Sequence, residues 1–205
     1  MTATGWTSGR VRARLAEILV PAGFSKFGKQ FVLDAGLRVL VVVEKEQRWG
    51  EPLLAIDILL IPPGWTIAPD REAPFLIHWQ LQELAGRRQR YSAEGEMNWE
   101  KSDIGRDSLL IPSVADRYRQ PDVFVDDILV GYIRVGATDF PIGPTFRTSR
   151  FLQFQCYRQA LSVARWMEDA EREHAVREAI RHAAQEASDE GRLDYQRLLD
   201  ERQTW

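Results

Sequence analysis

The first apolar pattern along the chain has the period of an α-helix. From Val11 to Val20, apolar side chains recur every three or four positions, with arginines on the opposite side, which predicts an amphipathic helix. Pro21 and Gly23 follow directly and end it, because both residue types interrupt helices. The first element is therefore predicted to be helical.

The apolar period then shortens to two, as in β-strands. Residues 28–46, GKQFVLDAGLRVLVVVEKE, are two strand-like runs around an Ala-Gly pair, which predicts a hairpin or, with the preceding aspartate, a three-residue loop. Leu53–Ile61 is apolar on both faces apart from Asp57. A strand that is apolar on both faces is typical of the centre of a sheet.

The segment Pro74–Leu84, PFLIHWQLQEL, is predicted to be a fourth strand, because its apolar residues repeat at every second position. Its other side carries His78, Gln80 and Gln82. The simplest interpretation of that side is the solvated face of an antiparallel sheet. It is also a surface on which we expect binding, because a glutamine amide both donates and accepts hydrogen bonds.

The middle of the chain is less regular. Gly86–Trp99 is predicted to be a loop or a short hairpin, and it carries three basic residues: Arg87, Arg88 and Arg90. Asp122–Val135, DVFVDDILVGYIRV, is predicted to form one or two strands. The following residues 136–146, GATDFPIGPTF, are rich in glycine and proline, which predicts a loop.

The last quarter of the chain changes character again. Ser149–Ala187 lacks proline and glycine and carries charges of both signs at helical spacing, which predicts a long helix broken at most once. The Asp-Glu-Gly sequence ending at Gly191 is predicted to end this helical region, and Asp194 to cap a short final helix.

Together these elements predict a single α+β domain over residues 1–205. Residues 1–147 would hold the N-terminal helix and an antiparallel sheet of about four to six strands. Residues 148–205 would form a helical segment, with a long C-terminal helix packed on one face of the sheet.

Composition and charge restrict the partners and the cellular compartment that we expect for this chain. The net charge of -3 and the pI of 5.7 do not favour binding to nucleic acid or to an anionic membrane. No run of about 18 apolar residues indicates a membrane span, and the first residues lack the apolar core of a signal peptide. The one cysteine, Cys156, excludes an intramolecular disulfide and fits a reducing compartment. We expect a cytoplasmic protein, whose oligomeric state the sequence leaves open.

Four stretches resemble a family of bacterial domains of unknown function, number 4304. They are LAEILVPAGFSKFGKQFVLDAG at 15–36, VVVEKEQRWGEPLLAIDILL at 41–60, HWQLQEL at 78–84 and NWE at 98–100. The resemblance covers roughly residues 10–105 and implies an α+β fold with an antiparallel sheet. It implies no reaction. Glu44 and Asp57 stand where glutamine and asparagine would be expected in that pattern.

One catalytic alternative centres on His78. If the strands pair antiparallel, His78 could share a face with Glu44 or Asp57, and a histidine beside a carboxylate is the minimum for general-base chemistry. This would be a hydrolase-like site. No nucleophile lies in a favourable turn, so we expect no catalytic residues and prefer a binding face.

Two other clusters contain residue types that can bind metal ions, but solvated surface charges are the simpler interpretation of both. The first lies along one side of the predicted C-terminal helix: Glu171, His174, Glu178 and His182. The second groups three carboxylates: Asp126, Asp127 and Asp139. The first lacks matching ligands from other helices, and the second lacks a phosphate loop. We therefore expect neither a metal nor a cofactor.

Tryptophans outside the predicted elements are the main functional signal. The chain has seven, and Trp49 and Trp65 fall in predicted turns. Exposed aromatic residues are enriched in protein interfaces. The leading hypothesis is a non-catalytic protein-binding module that binds through Trp49, Trp65 and the His78 face. Small acidic domains of this sort are sometimes immunity proteins of bacterial toxins, which suggests one class of partner.

Overall fold

A computed structural model describes residues 5–48, 51–63, 77–87, 89–135, 138–141 and 150–200. The chain divides into two compact units. Unit 1 contains residues 1–60 and 78–117, and unit 2 contains residues 61–77 and 118–205. The predicted α+β class with an antiparallel sheet is confirmed. The single domain over residues 1–205 stays a prediction.

Unit 1 begins with helix α1, Ser8–Leu19. The Thr7 side chain accepts a hydrogen bond from the Arg10 backbone N–H, which satisfies one of the free donors of the first turn. The helix buries Val11, Leu15 and Leu19, which recur every four residues along one face. The predicted amphipathic helix is confirmed.

The sheet of unit 1 contains six strands within the described residues. They are β1 Ser25–Phe27, β2 Gln30–Ala35, β3 Leu37–Arg48, β4 Glu51–Ile61, β5 Ile77–Gln80 and β6 Tyr91–Ser92. Their order is β1-β2-β3-β4-β5, and β6 pairs with β4 in addition. The β1–β2, β2–β3 and β4–β6 pairs are antiparallel.

Two of the strand predictions are confirmed in detail. Strands β2 and β3 pair up to Ala35 and Leu37, on either side of Gly36, whose φ of 75° is one that glycine adopts without strain. Strand β4 lies between β3 and β5 and buries the consecutive residues 54–56. Consecutive burial requires apolar contacts on both faces, as expected for a central strand.

The predicted strand Pro74–Leu84 is wrong over its second half. Only Ile77–Gln80 is a strand in the described part of this segment, and helix α2, Leu81–Leu84, follows it. The Glu83 carboxylate accepts a hydrogen bond from the Gln80 backbone N–H at 3.3 Å, which favours a helical turn there. Residues 74–76 lie outside the described residues.

Two short helices complete unit 1: α3, Asp103–Ser108, and α4, Leu110–Arg117. The Ser102 hydroxyl caps α3 by accepting a hydrogen bond from the Gly105 N–H at 3.1 Å, and it donates to the Trp99 carbonyl oxygen at 2.8 Å. A side chain on Gly105 would place its Cβ 2.7 Å from the Trp99 carbonyl carbon, and closer still to the oxygen. Glycine is therefore required here by close backbone approach.

Unit 2 contains four longer helices and a two-stranded sheet in its described residues. They are α5 Pro121–Val130, β7 Tyr132–Val135, β8 Thr138–Pro141, α6 Arg150–Trp166, α7 Ala170–Glu186 and α8 Asp189–Asp200. Strands β7 and β8 form an antiparallel pair. The predicted loop at 136–146 is therefore wrong where β8 forms.

The strand prediction for Asp122–Val135 is also wrong for most of its length. Pro121 begins helix α5, and Phe124, Val125 and Ile128 are buried along it. Gly131 ends the helix with a φ of 80°, a left-handed conformation that commonly terminates helices. Only the YIRV sequence that follows forms a strand, β7.

The long C-terminal helix is broken once, as predicted. Helix α6 ends at Trp166, Glu168 has a left-handed φ of 55°, and the Asp169 side chain caps α7 by accepting a hydrogen bond from the Arg172 N–H. The final helix begins at Asp189 rather than at Asp194. Its first turn is stabilised by backbone and side-chain oxygens of Ser188, so the Asp-Glu-Gly sequence begins a helix instead of ending one.

Arginine–carboxylate pairs connect the helices of unit 2. Arg172 on α7 contacts Asp126 on α5 at 2.9 Å and Asp169 at 2.8 Å. Glu173 on α7 accepts hydrogen bonds from Arg165 and Arg177. Burial opposes ionisation of Glu173, but these two hydrogen bonds outweigh it and lower the pKa of the carboxyl. These ion pairs therefore connect α7 to α5 and to α6.

We expect Gly105→Ala to lower the free energy of unfolding by about 2–3 kcal/mol, because the added methyl overlaps the Trp99 carbonyl group. Gly9→Ala in α1 is the matched control. Its nearest neighbour would be the Thr7 hydroxyl at 3.8 Å, so we expect no loss of stability. Urea denaturation of both variants measures the difference. Equal midpoints for Gly105→Ala and the unmodified chain would contradict the close approach.

Candidate binding cleft

A cleft of about 580 Å³ lies in unit 1. Its wall is formed by the N-terminal segment, the chain around β6 and the first turn of α3. The lining residues are Trp6, Arg87, Gln89, Arg90, Tyr91, Ser92, Gly95, Glu96, Lys101, Ser102, Asp103 and Ile104. Its volume is within the range of ligand sites, but only three of these residues, Trp6, Tyr91 and Ile104, have large and mainly apolar side chains.

Trp6 is held in the cleft wall by backbone and side-chain contacts. It is 6% exposed, and its indole N–H donates to the Glu96 carbonyl oxygen at 2.8 Å. Its ring meets that of Trp99 edge to face, with the ring centroids 5.4 Å apart. The Trp6 backbone N–H donates to the Ala93 carbonyl oxygen. The N-terminal segment is thereby attached to the chain around β6.

A buried carboxylate organises the polar side of the cleft. Asp107 on α3 is 7% exposed. Its Oδ2 accepts hydrogen bonds from Arg87 Nε at 2.5 Å and from the Tyr91 hydroxyl at 2.9 Å, and its Oδ1 accepts one from Arg87 Nη2 at 3.2 Å. The Arg87–Asp107 pair is therefore bidentate, the geometry that fixes a guanidinium most firmly.

The same contacts determine the protonation of the two donors. Burial, and then the charge of Asp107, raise the pKa of Tyr91 well above its ordinary value. The hydrogen bond to Asp107 raises the pKa of Arg87 further. Tyr91 therefore stays a neutral phenol and Arg87 a cation throughout the physiological pH range.

Three lining groups keep hydrogen-bonding capacity. Arg87 Nη2 also contacts Asp103 Oδ1 at 3.1 Å, but Nη1 donates to no acceptor among the described residues. The Lys101 side chain is exposed, and no carboxylate in the described part of the chain lies within ion-pair distance of its ammonium. Gln89 is likewise exposed, with no side-chain hydrogen bond to another described residue.

Two of the three hydroxyl-bearing residues among the described lining residues donate to structural acceptors. The Ser102 hydroxyl donates to the Trp99 carbonyl oxygen, and the Tyr91 hydroxyl donates to Asp107. The Asp107 carboxylate beside Tyr91 is already bonded to Arg87, and no histidine or cysteine is among the described lining residues. The arrangement is suited to binding.

The residues predicted for a catalytic site are only partly described. Glu44 on β3 is exposed, and Asp57 on β4 is half-buried. The His78 backbone lies in β5, but its side chain is outside the described residues, so the combination of His78 with either carboxylate stays a prediction. Trp49 and Trp65 also lie outside the described residues.

The two predicted glutamines do not share a solvated face. Gln80 ends β5 and is half-buried, whereas Gln82 on α2 is only 3% exposed. The Gln82 amide donates to Gln80 Oε1 at 2.5 Å. The expectation of an exposed Gln82 is wrong because the chain turns into a helix after Gln80, which rotates the next side chains away from strand alternation.

The two clusters of potential metal ligands noted in the sequence make other contacts, or are exposed, where their residues are described. Asp126 pairs with Arg172, and the buried Asp127 accepts a hydrogen bond from Tyr118 at 3.0 Å. His174 and His182 lie on the exposed side of α7, where His182 is 3.8 Å from Glu186. No group of three or more potential metal ligands occurs among the described residues.

No protein-family model, curated protein or solved structure matches the chain. The resemblance to family number 4304 therefore stays a prediction. No helix in the described part of the chain has both the length and the apolar content to cross a membrane.

The Cys156 thiol is poorly suited to act as a nucleophile. It lies on α6 and is 5% exposed, and burial raises the pKa of its thiol to about 12. Only the thiolate is a good nucleophile, so at pH 8 the reactive form would be about one part in ten thousand.

We expect iodoacetamide at pH 8 to modify Cys156 in the folded chain at least about a hundredfold more slowly than in urea, where the thiol recovers an ordinary pKa and becomes accessible. Mass spectrometry of timed samples measures both rates. Similar rates in the folded and unfolded chain would show that the thiol is available for chemistry.

Proposed function

We propose that the chain is a non-catalytic protein-binding module and that the cleft of unit 1 is its binding surface. The observation that carries this proposal is the rigid placement of Arg87 next to a cleft whose Tyr91 and Ser102 hydroxyl groups donate to structural acceptors. A cation that is oriented before binding supports recognition of an anionic group.

The composition of the cleft favours a protein over a small apolar ligand. Pockets for small molecules are lined mainly by hydrophobic and aromatic side chains, whereas nine of the twelve lining residues here are polar, charged or glycine. Trp6 and Tyr91 are almost completely buried, and only a small part of each side chain lines the cleft. Aromatic residues, arginine and a polar rim are common features of protein interfaces.

Two finer expectations go with this proposal. An immunity-type role beside a bacterial toxin rests on the size and acidity of the chain, and a cytoplasmic location rests on its single buried cysteine. The hydrolase alternative has no comparable support, because none of the described lining residues is a histidine. Trp49 and Trp65 remain candidates for a second binding surface.

We expect the tagged chain, purified from its source cells, to carry a stoichiometric protein partner that Gln89→Trp removes. Gln89 is exposed and lines the cleft, so the substitution blocks the cleft without changing its charge. Gln185→Trp on α7 is the matched control, because Gln185 is also exposed and lies outside the cleft. Size-exclusion chromatography and mass spectrometry identify the partner and its stoichiometry.

Two results would contradict the proposal. One is a chain that carries no partner in any form tested. The other is a partner that Gln89→Trp and Gln185→Trp retain equally. If the double variant Trp49→Ala/Trp65→Ala alone loses the partner, the binding surface lies at those tryptophans and not in the cleft.

A further inference from the structure

We infer that the cleft binds a carboxylate of the partner protein, through Arg87 Nη1 and the Lys101 ammonium. This inference rests on the proposed function. It specifies the chemical group that the partner presents, either an aspartate or glutamate side chain or the end of a chain.

Arg87 is oriented before any ligand arrives. Its Nε and Nη2 are occupied by the buried Asp107 carboxylate, which is itself held by the Tyr91 hydroxyl. The remaining nitrogen, Nη1, is bonded to none of the described residues, and the side chain is 34% exposed. An arginine fixed in this way loses little conformational entropy when it binds an anion.

Lys101 provides the second positive charge. Its side chain is exposed at the wall of the cleft, and its ammonium has no carboxylate partner among the described residues. Its backbone N–H donates to Asn98, so the stem of the side chain starts from an ordered turn. A lysine is a flexible point charge that can follow a ligand held by the arginine.

The carboxylates of the cleft wall leave Arg87 Nη1 and the Lys101 ammonium without a partner among the described residues. Asp103 contacts Arg87 and also Arg106. Glu96 Oε1 accepts a hydrogen bond from the Asn98 backbone N–H at 2.9 Å. Neither makes an ion pair with Lys101, which leaves a place for an external anion.

The charge arrangement favours a carboxylate over a phosphate. The Arg87 guanidinium already contacts two carboxylates, Asp103 and Asp107. A dianionic phosphate at Nη1 would be repelled by both of them about twice as strongly as a singly charged group. One carboxylate, with one oxygen on Nη1 and the other on Lys101, matches the donors that remain.

The test is an NMR titration of the full chain with three probes. They are the blocked peptide acetyl-Gly-Asp-Gly-amide, its Asn counterpart and inorganic phosphate. The reporters are the backbone amide signals of Lys101 and Ser102 and the indole signal of Trp6. We expect the Asp peptide to bind at least about tenfold more tightly than the Asn peptide, and more tightly than phosphate.

Variants locate the site. Lys101→Ala is expected to weaken binding of the Asp peptide by about tenfold, while Lys26→Ala leaves it unchanged, because Lys26 is exposed on β1 outside the cleft. Arg87→Lys keeps the charge but loses the fork that contacts Asp107, and it should weaken binding as well. The amide spectrum of each variant shows whether it is folded.

The inference is overturned if no probe shifts the reporter signals, if the Asp and Asn peptides bind equally, if phosphate binds most tightly or if Lys101→Ala has no effect. Its failure is separate from that of the proposed function. A partner that is lost with Gln89→Trp but does not depend on Lys101 would retain protein binding and remove only the carboxylate. If the Asp peptide binds but no protein partner is found, the carboxylate site is retained and the proposed protein-binding function is rejected.

Discussion

A carboxylate that is buried away from water needs hydrogen-bond donors from the protein. In unit 1 the carboxylate in this position is that of Asp107. Leaving a buried polar group without its partner costs about 1–3 kcal/mol, and more where the group is charged. Arg87 and Tyr91 meet the requirement from a segment that precedes Asp107 by 16 to 20 residues. The contact therefore fastens the chain around β6 to helix α3, and the cleft lies where they meet.

The same constraint connects stability to recognition. Because Asp107 occupies two of the guanidinium nitrogens, Arg87 has one direction left in which to donate. The close approach of Gly105 to Trp99, and the contact of Trp99 with Trp6, fix the wall on the other side. A cation is thus held at a polar cleft by groups that fold the unit, and this arrangement is the basis of the proposed binding function.

Much of the fold could be predicted from local patterns. Helix α1, the β2–β3 hairpin, the central strand β4 and the break before α7 each depend on periodicity or on a local cap. Helices α2 and α5 are not predicted because two local features outweigh strand-like composition. One is the hydrogen bond from the Gln80 backbone N–H to the Glu83 carboxylate, and the other is a proline at the first helical position. Apolar runs of this length are compatible with either element.

The site was less predictable than the fold. The cluster Arg87, Arg88 and Arg90 was visible as a basic loop, but its pairing with Asp107 joins residues 20 positions apart in a region without regular periodicity. Trp6 and Lys101 carry no spacing signal that relates them to Arg87. A cleft built from tertiary contacts has no short motif, and the sequence therefore directed attention to His78 and the turn tryptophans instead.

The central claim, that Asp107 holds Arg87 in place at the cleft, is tested most directly by NMR of the arginine guanidinium groups. We predict that the Arg87 Nε–H exchanges slowly with water, and that rotation of its guanidinium group is slow. Both should become fast in Asp107→Asn, which loses the charged acceptor. An Arg87 signal that is already averaged and exchanges rapidly in the unmodified chain would contradict the account.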